Sequence, residues 1–238
     1  MTLRFAAGGG APPQSHEVLR VDPGGDGRYL TGRPWPSQRP FDEIGVYVAT
    51  TDFARLAELA RAVLAAPAPG GGHADAGGES VELDGAVASW GARDRSPAAE
   101  ALVDAARAAI GAAREHPLAA VRAEAVDGGL VLRHRGERPL AVAAGEVHVG
   151  RGRLERPPSP LRLAGPDPSP FALPRLLAPG GSVPVALPAP PPVDDADFAT
   201  PYALVHLRWR PEVPGEPDEL DGWMISGPLV DSANDRSS

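Results

Sequence analysis

The sequence predicts an α+β chain of two domains, an N-terminal sheet carrying two helices followed by an all-β part built as a sandwich. Three observations carry this. Apolar residues recur at helical spacing in only two segments, 53–64 and 102–113. After Pro117 the apolar period is two throughout, and 29 prolines and 28 glycines cut the periodic runs into pieces. At 238 residues the chain has room for two cores, and 42% hydrophobic with 23% charged residues is a globular composition.

Leu3 and Phe5 alternate with polar neighbours, Gly8-Gly9-Gly10 and Pro12-Pro13 interrupt them, and Val18, Leu19 and Val21 lead into the turn Asp22-Pro23-Gly24-Gly25-Asp26-Gly27. Such alternation, broken by Gly and Pro, marks two or three antiparallel strands. Residues 31–40, around Pro34-Trp35-Pro36, read as a loop, and Ile44 to Val48 as a short buried strand. Asp52 caps a helix whose Phe53, Leu56, Leu59, Ala60, Val63 and Leu64 share one stripe, and Pro67 ends it. A Gly-rich connector follows over 69–78. Val81 to Leu83 and Val87 to Trp90 flank Asp84-Gly85, a dipeptide favoured in tight hairpin turns. Ser96 and Pro97 open the second helix, Leu102, Val103, Ala106, Ile110 and Ala113 line it, and Pro117 stops it at about His116.

Beyond Pro117, the groups Val121 to Ala125, Leu130 and Leu132, Leu140 and Val142, Val147 and Val149, Leu161 and Leu163, Val183 to Leu187, and Leu204 to Trp209 read as separate short strands. Many short strands of period two are the pattern of a β-sandwich. The phrase Leu177-Ala178-Pro179-Gly180-Gly181-Ser182-Val183 resembles the turn-into-strand segment of immunoglobulin-like domains. That resemblance implies an immunoglobulin-like sandwich and no particular activity. The change of period places a boundary at His116-Pro117, giving an α+β domain over 1–116, the sandwich over 117–230 and a disordered tail over 231–238.

The chemistry the chain excludes is clearer than the chemistry it offers. It has no cysteine, so disulfides, zinc–thiolate sites, iron–sulfur clusters and thiol nucleophiles are ruled out, which fits a reducing, cytoplasmic setting. All 23 basic residues are arginine; a chain without lysine cannot form a Walker-type phosphate loop. With the abundance of Ala, Gly and Pro, this usage resembles the codon bias of a GC-rich genome such as that of an actinobacterium. Gly150-Arg151-Gly152 carries Glu155 where a dinucleotide fingerprint requires a third glycine, and neither Ser89 nor Ser226 sits in a nucleophile elbow. No two of the six histidines share a helical metal-ligand spacing, although His134, His148 and His206 fall on strands that could converge. Asp194-Asp195-Ala196-Asp197 lacks the glycine and the terminal glutamate of a calcium loop and reads as a solvated turn. No metal and no cofactor is therefore expected. Nor is a membrane span, since no run of about eighteen apolar residues occurs. The net charge of −8 gathers after residue 193, where ten acids face three arginines, and argues against nucleic-acid binding. Arg133, Arg135, Arg138, Arg151, Arg153 and Arg156 form one basic stretch, read as a solvated strand face.

Four tryptophans remain. Trp209 lies inside a strand and reads as core, whereas Trp35 between two prolines and Trp223 after an acidic run lie in irregular segments. Each can cover a core or anchor a partner, because Trp dominates interface energetics. Asp218, Glu219 and Asp221 surround Trp223 with negative charge and make 212–230 a candidate recognition loop for a basic partner, the alternative being that Trp223 and Ile225 face inward on the last strand of the sandwich and the acids solubilise its edge. The order of residues 1–115, a Gly-rich hairpin with Gly8-Gly9-Gly10 and His16 to Val21, an apolar helix, a strand ending at Asp84-Gly85 and a second helix, resembles emfourin-type domains. These are small α+β proteins related to bacterial metalloprotease inhibitors, and the resemblance implies a non-enzymatic, inhibitor-like role; the second domain has no counterpart in it. A non-catalytic protein-binding or adaptor role, with Trp35, Trp223, Asp218, Glu219 and Asp221 as binding residues, is the expectation. The alternative is an enzyme or small-molecule binder whose site is assembled between domains from residues distant in sequence.

Overall fold

Alternating apolar residues, two capped amphipathic helices and a set of tight turns produce a mainly antiparallel α+β fold. The structure, a computed structural model, describes residues 2–8, 17–31, 43–66, 78–91, 94–127, 129–152, 162–163, 169–171, 176–188, 200–212 and 220–226. The expected loop around Trp35, most of the Gly-rich connector, the acidic turn at 194–197 and the tail at 231–238 lie outside these residues. In chain order the elements are β1 (Leu3–Gly8), β2 (Glu17–Val21), β3 (Asp26–Thr31), β4 (Glu43–Thr50), α1 (Phe53–Ala65), β5 (Gly78–Leu83), β6 (Ala86–Gly91), α2 (Pro97–Ala113), β7 (Pro117–Val126) and β8 (Gly129–Arg135). There follow β9 (Leu140–Gly152), β10 (Arg162–Leu163), β11 (Ser169–Pro170), β12 (Leu176–Leu177), β13 (Ser182–Val185), β14 (Thr200–Pro211) and β15 (Leu220–Ser226). Nine strands hydrogen-bond in the order β13-β8-β7-β4-β3-β2-β1-β5-β6; six more form a second sheet, β10-β9-β14-β15 with β11 and β12 also paired to β9. The chain divides into two units, Met1–Gly32 with Val46–Leu118, and Arg33–Gly45 with Ala119–Ser238.

In the first unit, Phe5 lies opposite Leu19 and Val81, and Leu19 opposite Tyr29, so one face of the sheet is a continuous apolar surface. All four are buried, together with Leu3, Val21 and Leu83. The helices cover that face: α1 packs on β1, β5 and β6, α2 on β3, and the two pack on each other. Their starts follow the sequence. The Asp52 carboxylate accepts from Arg55 N at 3.0 Å, and Ser96 Oγ accepts from Ala99 N at 3.2 Å with Pro97 in the first turn. Alanines 57, 60, 106, 109 and 113 are buried along the helices, short side chains that let packed elements approach closely. Between β5 and β6, Asp84 and Gly85 both take positive φ, 53° and 81°, the type I′ turn whose twist suits a hairpin.

In the second unit β7, β8 and β13 run antiparallel, with Ala123 opposite Leu132 and Leu132 opposite Val183. The core of the other sheet is Leu140, Val142, Val147, Val149, Ala203, Val205, Leu207, Trp209 and Met224. The sequence divides 140–142 from 147–149, but the structure has one 13-residue strand there. The cause is a bulge: Arg208 pairs Ala144 and Trp209 pairs Val142, leaving Ala143 unmatched. One extra residue shifts the alternation by one, so Leu140 and Val142 face the same core as Val147 and Val149.

Candidate interaction surface

The residues expected to bind a partner are placed as follows. Trp35, Asp218 and Glu219 lie outside the described residues. Asp221 and Trp223 lie on β15, their backbones in register with Arg208 and His206 of β14. Over Leu220–Ser226 the segment is therefore strand, as the alternative reading has it, and not loop. The prolines of the turn-rich stretch stop at Pro217, and Leu220, Trp223 and Ile225 are of residue types that a pleated strand favours, with Gly222 the one glycine of β15.

Of the basic stretch, Arg133 Nε donates to Glu124 at 3.0 Å in a solvated cross-strand ion pair, and Arg135 Nη1 donates at 2.7 Å to Glu43, whose side chain is largely buried. His134 is 2% exposed, opposite Val121, and neither ring nitrogen has a hydrogen-bond partner among the described residues. Burial lowers its pKa; the nearby Arg138 backbone favours the proton slightly without reaching hydrogen-bond geometry. Burial lowers the pKa of His148 too, Glu146 opposing and His206 reinforcing that shift. His206 Nδ1 stands 3.7 Å from Glu146. Among the described residues, no three His, Asp or Glu side chains converge on a point that could hold a metal ion.

Two polar networks escaped the sequence reading, and both tie α2 to the sheet. Glu79 is 5% exposed on β5; its carboxylate accepts from Trp90 Nε1 at 2.8 Å and from Arg95 Nε and Nη2 at 2.7 and 2.5 Å, with Arg107 of α2 at 3.5 Å. That hydrogen bond raises the Arg95 pKa further above its already high value. A signal existed: Glu79 and Trp90 form the fifth pair out from the Asp84-Gly85 turn, so the hairpin register alone juxtaposes them. At the other end of α2, Arg114 Nη2 donates to Glu17 Oε1 and Tyr29 Oη at 3.2 Å each, while Tyr29 Oη donates to Glu17 at 2.8 Å. Burial, then the Glu17 charge, pushes the Tyr29 hydroxyl well above its ordinary pKa; burial disfavours the Arg114 charge, but Tyr29 and Glu17 outweigh it. Polar atoms aimed at one another in this way hold a helix on a sheet.

The surfaces that face outward differ. β6 ends the nine-stranded sheet, and among the described residues no strand pairs with its outer side. Leu83 and Ala86 flank a two-residue turn, so residues 86, 88 and 90 bond to β5, while 87, 89 and 91 direct N–H and C=O outward. The strand, Ala-Val-Ala-Ser-Trp-Gly, holds no charge, no proline and no bulge, and Val87 is 64% exposed. Natural edges are guarded by such devices, as β13 is at the other end, with four residues and Pro184 among them. On the sheet face away from the helices, Arg4, Arg20 and Arg28 stand in register across β1, β2 and β3, all half-buried, with Glu82 next in the row. The open ladder of β6 can take up an extended chain.

Among the described residues no helix is long and apolar enough to cross a membrane. No protein-family model matches the chain, and no curated protein or solved structure does either.

Proposed function

We propose that the chain is a non-catalytic protein-binding or adaptor protein that captures an extended segment of a partner by adding it as a strand to β6. The observation that supports this is an edge left open among the described residues: six regularly paired residues without charge or proline, with Val87 turned to solvent. Main-chain hydrogen bonds at Val87 and Ser89 would give the affinity, and alternate side chains of the incoming strand the specificity. An inhibitor-like use of that edge, and an immunoglobulin-like sandwich over 117–230, belong to the same reading and rest on the sequence resemblances. So does a cytoplasmic setting, supported by the cysteine-free composition.

Selection from a displayed library of short peptides against the whole chain tests the proposal. Peptides with apolar residues at alternate positions are expected, and their binding should protect the Val87 and Ser89 amides from hydrogen exchange. Val87→Lys should weaken that binding at least tenfold with unchanged melting, because the side chain lies outside the core. Binding that survives Val87→Lys, or protection confined to other strands, would sink the reading.

A further inference from the structure

We infer that a second copy of this chain occupies the β6 edge until a partner displaces it, the two copies pairing β6 with β6 antiparallel about a twofold axis at Ala88. The inference rests on the strand-addition reading above and adds the regulation of that same edge: self-association closes it, and an incoming strand must compete with the second copy.

The outward main-chain groups fix the register. Residues 87, 89 and 91 direct N–H and C=O away from β5, but the Gly91 carbonyl already accepts from Asp94 N at 2.9 Å. Among the described residues, Val87 and Ser89 keep both groups for an incoming strand. One antiparallel self-pairing uses these groups and no others: Val87 of each copy lies against Ser89 of the other, and each pair exchanges both N–H···O bonds. Ala88 then lies opposite Ala88 of the second copy. Sliding the strands one step one way would set Val87 against Gly91, whose carbonyl is taken, and one step the other way Ser89 against Gly85 in the hairpin turn.

The side chains that meet in this register suit one another. Ala88 against Ala88 is a pair without main-chain hydrogen bonds, where Cα atoms approach to about 4.5 Å and two methyl groups fit. Trp90, 6% exposed, stands opposite the exposed Ala86, so bulk meets a small side chain, and Val87 meets Ser89 on the other face. A twofold axis sets an edge against its own sequence, so a charge near the axis would meet itself and forbid self-pairing while still admitting a foreign strand. Residues Ala86–Gly91 hold no such charge, and this selects a second copy as the occupant. The net charge of −8 opposes association at a distance, but at physiological ionic strength salt screens it beyond about 8 Å, and the paired strands are neutral. Space suffices as well. Because α1 covers β5 with its neighbours β1 and β6, the two α1 helices stand about three strand spacings apart, roughly 14 Å, against about 8–10 Å for packed helices.

Sedimentation velocity of the whole chain over a concentration series at physiological salt is the direct experiment. The chain is expected to pass from monomer to dimer as its concentration rises. Ala88→Glu and, separately, Ala88→Arg should each weaken self-association at least tenfold, because each sets like charges against one another at the axis. An equimolar mixture of the two should dimerise at least as tightly as the parent. Ser89→Pro removes an outward N–H and no bond to β5, and should weaken self-association at least tenfold as well. A chain that stays monomeric up to its solubility limit would overturn the inference, as would a dimer that Ser89→Pro leaves intact. So would a mixture of the two Ala88 variants, each melting as the parent does, that remains monomeric. A monomeric parent that binds the selected peptides would remove this inference and spare the strand-addition reading, whereas a dimer about Ala88 that no peptide displaces would do the reverse.

Discussion

Among the described residues neither nitrogen of the buried His134 imidazole has a hydrogen-bond partner. Its neutral ring is tolerated, whereas its protonated form would place an unpaired charge among Val121, Leu130 and Leu132. In the unfolded chain the ring titrates near its ordinary value of 6.5, and in the folded protein below it. Above about pH 6.5 both states carry the neutral ring and stability is undiminished; below it the unfolded chain takes up the proton first and stability falls, until the folded ring titrates as well. The melting temperature should thus decline from about pH 7 to pH 5. His134→Leu should decline less steeply, and His148, whose pKa moves the same way, contributes to the slope that remains. An identical slope in wild type and variant would show that His134 is not the group responsible. Glu79 shows the opposite solution: a carboxylate of similar burial made tolerable by an arginine fork and an indole. In the sequence neither environment can be seen, because a strand histidine reads alike whether it faces core or solvent. Trp209 was legible, since apolar alternation around it marks the strand as buried.

At the scale of elements, legibility follows how local the cause is. Both helices, their caps and the Asp84-Gly85 turn were readable, because each depends on residues within a few positions of one another. β15 was read two ways, as a projecting recognition loop and as the last strand of the sandwich, because proline and glycine upstream suggest a loop while its pairing with β14 is set by a distant strand. β9 was read as two strands because its bulge reverses the parity that a sequence pattern depends on. That bulge can be tested. Deleting Ala143 would remove the bulge and give β9 one uniform alternation in which Val142, then four residues from Val147, stays opposite Trp209, so that Leu140 and Val142 keep the core face of Val147 and Val149. Urea denaturation should therefore show a change of no more than about 1 kcal/mol for the deletion, and Ala143→Val, which keeps the residue count at an exposed position, should stay within about 0.5 kcal/mol of wild type. A loss of about 3–5 kcal/mol on deletion, the cost of exposing two such apolar side chains, would mean that Leu140 and Val142 had left the core and that the bulge does not set their facing.

For the whole molecule, composition spoke about exclusion and charge but not about which parts of the chain share a core. The sequence marks a change of period at His116-Pro117, yet Arg33–Gly45 is grouped with Ala119–Ser238, and no local pattern announces that. The reasons are contacts far apart in sequence. Glu43 accepts from Arg135 Nη1 at 2.7 Å, and Gly45 lies so close to Ala120 that a Cβ there would stand 2.5 Å from the Ala120 methyl. Only glycine permits that approach, so the junction is built for this pairing. A fragment of residues 117–238 would keep β7, β8 and β13 but lose Glu43 and Gly45, and with them the strand seated on Ala120. Ala119, Ala120 and Val121, fully buried in the intact protein, would then border a missing strand. Expressed alone, 117–238 should therefore lack a cooperative thermal transition and bind a hydrophobic dye, and co-expression with 1–116 should restore one transition. Cooperative unfolding of 117–238 by itself would show that residues 33–45 are dispensable to the second unit, and that the change of period at 116–117 marks an independent domain.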